Sequence, residues 1–330
     1  MRHLWTRRGF RILTSIAALA SLTAVAACGS SGSGSGSGSS GGLEKTHLTV
    51  GALAVADDAP LYLAIKEGYF QQVGLTVTPV QVAASTQAIP DMLRGSVDII
   101  AGANYVSFFQ AESKGVVKFK ILADGTHCQA STFEVMALPG SGISRPASIA
   151  GKTVAVNLTN NVQTLTLNSV LKSDGVNPSS VKYVEVPFPD MVAALKAHRV
   201  DAISAIEPYI TASSQQLGAV PVMSQCTGPA AGFPLSGYFS TARWAQQNPN
   251  TAKAFQKALD KAQAFANSHP AAVRAILPTY TKITAKTADV LKLNTYPSTL
   301  SAPPMQQVAS LMLSGGLLSA PLPVSSLLVP

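Results

Sequence analysis

The chain has 330 residues, of which 47% are apolar and only 12% charged, so it has enough apolar side chains for a large core and is not disordered by composition. Its formal net charge is +8, from 24 basic and 16 acidic side chains, and the basic residues are scattered along the chain. That scatter excludes the clustered basic surface with which proteins bind the phosphates of nucleic acids.

The first 27 residues are typical of a secretory signal peptide. Four arginines precede an apolar stretch from Ile12 to Ala27, which ends in the small residues Val25-Ala26-Ala27. The stretch is shorter than the roughly 20 residues that a transmembrane helix needs, and its small-residue end favours cleavage. We predict that residues 1–27 are removed, which lowers the net charge from +8 to +4 because the leader holds four arginines and no acid. An uncleaved N-terminal anchor is the alternative.

The sequence Val25-Ala26-Ala27-Cys28-Gly29 resembles the bacterial lipobox, in which the cysteine becomes the lipidated first residue of the mature protein. Residues 29–42 are all Ser or Gly, a composition that cannot bury apolar surface and is typical of a flexible linker. We therefore expect residues 28–42 to be a lipidated Cys28 plus a linker. The folded part would then be exported and anchored by lipid to the outer face of the cell membrane.

From Leu43 onward the chain alternates short apolar runs with helical patterns, which indicates an α/β fold. A β-α-β-α-β run requires right-handed crossovers and therefore a mostly parallel sheet. Strands are predicted at 48–52, 75–80, 97–101, 118–123 and 133–138, and helices at 60–70, 87–94 and 105–113.

A second unit of the same kind begins near Ile149. Its strands are predicted at 151–156, 181–186 and 200–204, and its helices at 162–173 and 190–197. Residues 93–98 and 195–201 echo each other, because each is a helix end that runs into Val-Asp and a buried strand; this suggests two lobes built alike. Helices follow at 241–247, 250–267, 270–280, 286–293 and 305–313, and the proline-rich tail 321–330 is expected to have no regular structure.

Three motifs lie in order near the start of the folded part: Asp58-Ala59-Pro60-Leu61-Tyr62-Leu63-Ala64, Glu67-Gly68-Tyr69-Phe70 and Gly74-Leu75-Thr76-Val77. Together they resemble the opening of the nitrate/sulfonate/taurine-type and thiamine-pyrimidine-precursor-type substrate-binding proteins of ABC transporters. The similarity continues through residues 93–98, 149–156, 194–202 and Glu207-Pro208, and it spans about residues 47–240.

This resemblance implies a two-lobe periplasmic-binding-protein-like fold of type II, with each lobe a mostly parallel sheet flanked by helices. Lobe I would comprise 43–128 and 226–330, and lobe II 129–225, joined by two hinge crossovers. The lobes would close on a small molecule and deliver it to the permease of an ABC importer, without catalysis or a cofactor. The alternative is an enzyme of the same fold, such as a pyrimidine-precursor synthase.

Ligands of open parallel sheets lie beyond the carboxyl ends of the strands, where loops enter helices. These loops and their surroundings supply the candidate ligand-binding residues: Asp57, Asp58, Tyr62, Ser85, Thr86, Asn104, Tyr105, Thr126, His127, Asn157, Thr159, Asn160, Glu207 and Tyr238. Several have a purely structural alternative: the Ser, Thr and Asn residues are good helix N-caps, the tyrosines suit a core or a rim, and Glu207 suits a solvated loop.

The loops also indicate which ligands to expect. They carry Asp57, Asp58, Asp190 and Glu207 but no Arg or Lys, which favours a neutral or amine-bearing, nitrogen-containing ligand over an anion. Helix N-termini can bind anions unaided, so an anion stays an alternative. His127 has no second His or acid at metal-ligand spacing, and we predict no metal site.

If Cys28 carries lipid, an even pair of cysteines remains in an oxidising compartment. In the fold that the resemblance implies, Cys128 lies just before the chain leaves lobe I and Cys226 just where it returns. We therefore predict a disulfide between the two crossovers, with two buried free thiols as the alternative.

Overall fold

The computed structural model describes residues 42–329. The predicted signal peptide, the lipidated Cys28 and the linker up to residue 41 lie outside the described residues. In the part that the structure describes, no helix is both long and apolar enough to cross a membrane.

Two five-stranded sheets organise the chain, in the orders β2-β1-β3-β10-β4 and β7-β6-β8-β5-β9. The strands of the first sheet are β1 (His47–Ala52), β2 (Thr76–Gln81), β3 (Ile99–Asn104), β4 (Phe119–His127) and β10 (Pro234–Thr241). Those of the second are β5 (Phe133–Ala137), β6 (Thr153–Val156), β7 (Lys182–Glu185), β8 (Ala202–Ile206) and β9 (Val220–Ser224).

The two sheets have the same plan. In the first, β1 pairs parallel with β2 and β3, whereas β10 runs antiparallel between β3 and β4. In the second, β6 pairs parallel with β7 and β8, whereas β5 runs antiparallel between β8 and β9. Each sheet therefore has one reversed strand, and the predicted α/β fold with mostly parallel sheets is confirmed.

Twelve α-helices flank the sheets in the described part of the chain: α1 (Ala59–Lys66), α2 (Tyr69–Gln72), α3 (Ile89–Arg94), α4 (Tyr105–Ser113), α5 (Val162–Ser173), α6 (Phe188–Lys196), α7 (Tyr209–Leu217), α8 (Ala242–Gln247), α9 (Pro249–Ser268), α10 (Pro270–Ile276), α11 (Ala285–Ala288) and α12 (Ala302–Ser314). Asn104 and Asn161 cap α4 and α5, because their side chains accept the N–H groups of Ser107 and Thr164.

The long helix α9 shows how sequence pattern becomes packing. Its buried residues recur every three or four positions, as an amphipathic helix requires. Phe255 and Leu259 are fully buried among residues of the first sheet and α1, and the ring of Phe70 stacks on Phe255 with centroids 5.2 Å apart. Each such side chain contributes about 1.5–3 kcal/mol through burial, so α9 anchors the helical layer of the first sheet.

Two predicted helices are shorter in the structure. The helix predicted at 270–280 ends at Ile276 and continues as a 3₁₀ turn over 277–279, and the helix predicted at 286–293 is reduced to the four residues of α11.

Three other predicted elements also differ from the structure. The predicted helix 60–70 is broken at Gly68, whose φ of 72° is left-handed and ends α1 before α2 begins. The predicted strand 118–123 continues to His127, because β10 pairs with its whole length. The tail is not without structure: residues 324–327 form a 3₁₀ turn, and Leu328 bridges to Ile121.

The two crossover segments between the sheets lie side by side. The N–H of Cys128 donates to the carbonyl of Phe233 at 2.7 Å, and the N–H of Gln225 donates to that of Phe133 at 2.9 Å. Cys128 and Cys226 form the predicted disulfide, with their Cα atoms 5.1 Å apart. The disulfide therefore joins both connections between the sheets at one point. The lobe boundaries at 128/129 and 225/226 stay a prediction.

Candidate ligand-binding site

A narrow cavity of about 50 Å³, here called the inner cavity, lies between the two sheets. Residues on the first-sheet side are Leu53, Val55, Asp57, Ser85, Gly102, Asn104, Leu235 and Ser236; those on the second-sheet side are Phe133, Asn157, Asn161, Val162, Gln163, Phe188 and Ile206. Its volume holds a few water molecules. An outer groove of about 250 Å³, between residues 81–83 and 187–190, shares Leu53, Val55 and Phe188 with it and leads toward solvent.

The acidic loop, Leu53–Asp58, follows β1 and forms one wall of the inner cavity. Three tyrosine hydroxyls donate to three successive carbonyl groups of this loop, at residues 54, 55 and 56. The donors are Tyr209, Tyr280 and Tyr296, at 2.8, 3.0 and 2.9 Å. Because these bonds satisfy buried carbonyl groups on a segment without regular pairing, they fix the backbone that carries the two aspartates.

Asp57 presents a buried carboxylate to the inner cavity, with only 6% of the residue exposed. The Thr126 hydroxyl donates to Oδ2 at 2.6 Å, and the Asn294 amide donates to Oδ1 at 2.7 Å. Burial raises the pKa of Asp57, and these two hydrogen bonds, together with one from its own backbone N–H, oppose the rise. Among residues 42–329, no Lys, Arg or His forms a salt bridge with this carboxylate.

Asp58 is buried directly beside Asp57. Its Oδ2 accepts the N–H of Leu53 at 2.7 Å, whereas its Oδ1 has no hydrogen-bond partner among the described residues. A Cβ on Gly102 would lie 2.9 Å from Oδ1, so this close approach requires glycine, as does its φ of 59°. Burial raises the pKa of Asp58 well above the usual range, and the charge of Asp57 adds to the rise.

The opposite wall is built from uncharged amides. The Asn161 side chain caps α5, and the Gln163 side chain accepts the N–H of Asn157 at 2.6 Å. The Gln163 amide also donates to the Ser204 carbonyl at 2.7 Å. Since each amide is fixed by the protein itself, this wall is rigid and neutral.

Hydrogen bonds cross between the two walls at the rim of the cavity. The N–H of Ala56 donates to the Glu207 carbonyl at 3.0 Å, and the Asn157 amide donates to the Ala83 carbonyl at 3.0 Å. The bond from Tyr209 to the acidic loop also spans the cleft. The two sheets are therefore closed over the inner cavity.

Four of the predicted ligand-binding residues line the inner cavity: Asp57, Ser85, Asn104 and Asn157. Asn104 also caps a helix, which is the structural alternative that the sequence offered for the Asn residues. Its Oδ1 accepts the N–H of Ser107 as an N-cap, while its Nδ2 donates to the Ser85 hydroxyl at 3.3 Å. One side chain thus caps a helix and orients a cavity hydroxyl.

Five further predicted residues do not line the cavity; four of them are buried, namely Asp58, Thr126, Tyr105 and Tyr238, and His127 is partly exposed. Tyr105 and His127 both bind Asp124, through the Tyr105 hydroxyl at 2.7 Å and through Nε2 at 2.8 Å. They therefore belong to a polar cluster behind the wall. Within residues 42–329, no group of three His, Cys, Asp or Glu side chains is arranged to hold a metal.

The remaining predicted residues lie outside the inner cavity: Tyr62, Thr86, Thr159, Asn160 and Glu207. The ring of Tyr62 stacks on Tyr280 at a centroid distance of 3.7 Å. The Glu207 carboxylate accepts the hydroxyl and the N–H of Thr211 and lines another groove together with Lys292. Burial raises the pKa of Glu207, and its hydrogen bonds and the charge of Lys292 oppose the rise.

The candidate set left out three polar cavity residues, Asn161, Gln163 and Ser236, and one supporting residue, Asn294. Gln163 lies in the first turn of α5, directly after the loop that supplied Asn157. A search that included the first helical turn after each strand end, and not only the loop, would have included it. Asn294 comes from a segment without regular structure, 237 residues away from Asp57. No local sequence signal identifies such a contact.

A family model described as NMT1/THI5 like matches residues 56–273, more than half of the chain. A curated relative, the nitrate/nitrite binding protein NrtA of Nostoc sp., is 25% identical over 243 residues, which cover 67% of this chain and 54% of the relative. The chain thus spans about half the length of that relative.

Two solved structures have the same fold. The alkanesulfonate-binding protein SsuA from Xanthomonas axonopodis pv. citri, bound to MOPS, has a TM-score of 0.72 and 18% identity, covering 86% of this chain and 98% of its own. The desulfurization enzyme DSZB has a TM-score of 0.62 and 16% identity, covering 87% and 97%. At these identities the likenesses establish the fold, which is that of the periplasmic binding proteins.

Proposed function

The chain belongs to the NMT1/THI5-like family, and from that membership we propose that it is an extracytoplasmic substrate-binding lipoprotein. Cys28 carries the lipid, and the Ser/Gly linker joins it to the folded part. The folded part captures a small solute and delivers it to the permease of an ABC importer. It catalyses no reaction and needs no cofactor.

The observation that carries the proposal is the convergence of polar side chains from both sheets on one cavity between them. Asp57, Ser85 and Asn104 come from the first-sheet side, and Asn157 and Gln163 from the second. A solute that contacts both walls stabilises the closed arrangement, which is how a hinged binding protein couples capture to closure.

The crossovers support a hinge between two lobes, with lobe I at 43–128 and 226–330 and lobe II at 129–225. The first sheet takes all its strands from the first set of residues, and the second sheet takes all its strands from 129–225. The disulfide lies at both lobe boundaries, so closure bends the joined crossovers without separating them.

The solute in this proposal is neutral or amine-bearing and contains nitrogen. Among the described residues that line the inner cavity, Asp57 is the one charged side chain. The Lys282 side chain lies in the outer groove, opposite the acid Asp190. An acidic inner wall disfavours nitrate- or sulfonate-like anions, in contrast to the relatives named for those ligands.

The proposal is tested by measuring Tm of the purified protein against a library of small solutes, followed by product analysis of every solute that stabilises it. A saturable rise in Tm with the solute recovered unchanged supports a binding protein, since ligand at 100 times Kd stabilises by about 2.7 kcal/mol. Conversion of the solute during incubation contradicts it.

The lipid anchor is tested with Cys28→Ala. The variant is expected to leave the membrane fraction or to accumulate as unprocessed precursor, because stable anchoring needs the lipid that this cysteine accepts. Ser40→Ala is the control, since it makes a one-residue change in the Ser/Gly linker and keeps the cysteine. Identical fractionation and migration of Cys28→Ala and wild type would contradict the anchor.

A same-fold enzyme, such as a pyrimidine-precursor synthase, is the second candidate, and the shared fold of DSZB favours it. A hydroxyl nucleophile needs a base beside it. The cavity offers the hydroxyls of Ser85 and Ser236, but its described lining residues include no His or Lys. The product analysis above separates the two candidates.

A further inference from the structure

Among the described residues that line the inner cavity, Asp57 is the one acidic or basic side chain and forms no salt bridge, and we infer that the cavity selects an organic cation, held with its protonated nitrogen against Asp57. This inference rests on the proposed function and deepens it by naming the class of solute. It departs from the nitrate and sulfonate named for the relatives.

The two carboxyl groups of the acidic loop have no positive partner among the described residues. Asp57 and Asp58 are adjacent, 6% and 1% exposed, and neither forms a salt bridge within residues 42–329. Burying an ionised carboxylate without a positive partner is costly, so such a group keeps its proton to higher pH, as the raised pKa of both aspartates indicates, unless a positive partner is supplied. A cationic solute supplies the missing partner at the one place where this pair reaches the cavity, the side chain of Asp57.

The Asp57 carboxylate can accept more hydrogen bonds than the protein gives it. An ionised carboxylate offers about four acceptor positions. Thr126 and Asn294 occupy one on each oxygen, and the backbone N–H of Asp57 occupies a third. The remaining position is available to an N–H group of a bound cation, and such charge-assisted bonds are the stronger kind.

In the part of the chain that the structure describes, the wall opposite Asp57 offers an anion no positively charged donor. Each amide nitrogen there has two N–H donors. Gln163 gives both to Ser204, whereas Asn157 and Asn161 give one each, to Ala83 and to the Gln163 side chain, so an anion would meet two neutral amide N–H groups and no positive side chain among the described residues of this wall. The N-terminus of α5 borders the cavity and favours negative charge. Its partial charge of about +0.5 is smaller than that of one ionised aspartate, so the cavity as a whole favours a cation.

The test uses three probes of similar planar shape and different charge: guanidinium, urea and nitrate. Each is titrated at millimolar concentration into the purified protein and followed by calorimetry. Guanidinium is expected to bind at least about tenfold more tightly than urea, because one charge-assisted hydrogen bond is worth that much, and nitrate is expected not to compete. This ranking uses the wild-type protein and so does not depend on the folding of a variant.

Asp57→Asn then assigns the effect to the carboxylate. It should weaken guanidinium binding about tenfold or more while changing urea binding by no more than about twofold. The control is Asp174→Asn, an exposed aspartate at the other end of α5, which makes the same chemical change about 18 Å along the helix and should leave both affinities unchanged.

Three results would overturn the inference. If urea or nitrate binds more tightly than guanidinium, the cavity does not select a cation, but the chain still binds a solute and the proposed function stands. If Asp57→Asn leaves guanidinium affinity intact, the counter-charge lies elsewhere. If none of the three probes binds, the cation inference fails, and the solute library described above decides the proposed function separately.

Discussion

The two sheets share one strand order and one pattern of directions, yet the loops that follow their equivalent strands β1 and β6 differ in chemistry. The loop after β1, Leu53–Asp58, buries two carboxylates. The loop after β6, residues 157–161, offers amides and a helix cap. Topology therefore determines that the two loops meet, whereas the side chains determine that one wall is acidic and the other neutral.

A second pair of equivalent positions shows the same contrast. Asp98 precedes β3 and Asp201 precedes β8, and each carboxylate accepts the N–H of a threonine, Thr49 at 2.9 Å and Thr153 at 2.8 Å. Asp98 is buried and also binds Lys45, whereas Asp201 is exposed. At this pair of positions the acid before β3 is buried, whereas the matching acid before β8 is exposed to water.

The largest expected effect comes from removing the link between the two halves. Replacing Cys128 and Cys226 with serine should lower the free energy of unfolding by about 4–5 kcal/mol on the chain-entropy account, because the disulfide closes a loop with a separation of 98 residues. Urea unfolding measures it, and alkylation of the denatured, unreduced wild type serves as the control. Two alkylatable thiols in the wild type would contradict the disulfide.

The second-largest expected effect is the difference in stability loss between variants of Asp98 and Asp201. Asp98→Ala should cost about 3 kcal/mol, since it leaves a buried N–H and an indole N–H unpaired and removes a partly buried ion pair. Asp201→Ala should cost about 0.5–1.5 kcal/mol, the net value of one hydrogen bond near water. Urea unfolding of both variants measures the difference. Equal losses of stability in the two variants would contradict the difference in burial between Asp98 and Asp201.

The acidic loop should make stability depend on pH in a defined direction. Burial raises the pKa of Asp57 and of Asp58 in the folded protein, so the folded state holds protons more tightly than the unfolded state does. The free energy of unfolding without ligand should therefore fall as pH rises above about 4, by at most about 1.4 kcal/mol per pH unit for each group, and level off above the folded pKa. Asp58→Asn should flatten this fall, whereas Asp174→Asn should leave it unchanged.

The smallest expected effect concerns Asp260 on α9, the helix that covers the first sheet. Burial raises its pKa to about 6, so the folded state loses stability as pH rises from about 4, the unfolded pKa, to about 6, and the loss is complete above that value. Asp260→Asn should raise the free energy of unfolding at pH 8 by no more than about 1 kcal/mol, because the half-exposed group is screened by solvent, and should change little at pH 4. Urea unfolding at both pH values checks it; a loss of stability at pH 8 would contradict it.

The sequence predicted the parts of the site that follow from strand order. Asp57, Ser85, Asn104 and Asn157 were found because the carboxyl ends of parallel strands converge. The repeated Val-Asp pattern falls on equivalent positions of the two sheets, before β3 and β8. The apolar pattern locates the strands and their ends, and the ends of the parallel strands locate the site.

The rest depends on contacts that no local pattern encodes. Tyr209, Tyr280 and Tyr296 hold the acidic loop from three distant segments, and Asn294 orients Asp57 from an irregular one. Thr126 lies on β4 because that strand pairs with β10 beyond its apolar run. Such contacts are set by tertiary packing and become visible only in the structure.

The central claim, that a solute is bound unchanged between the two sheets, is tested most directly by native mass spectrometry of the protein as purified. A matched variant, Val162→Phe, fills the inner cavity from the first turn of α5, at a cost of about 1–3 kcal/mol from overpacking. The account predicts that the wild type carries one small molecule per chain, released unchanged on denaturation, and that folded Val162→Phe carries none. An equal load on both proteins, or a released molecule that the wild type chemically converts, would contradict it.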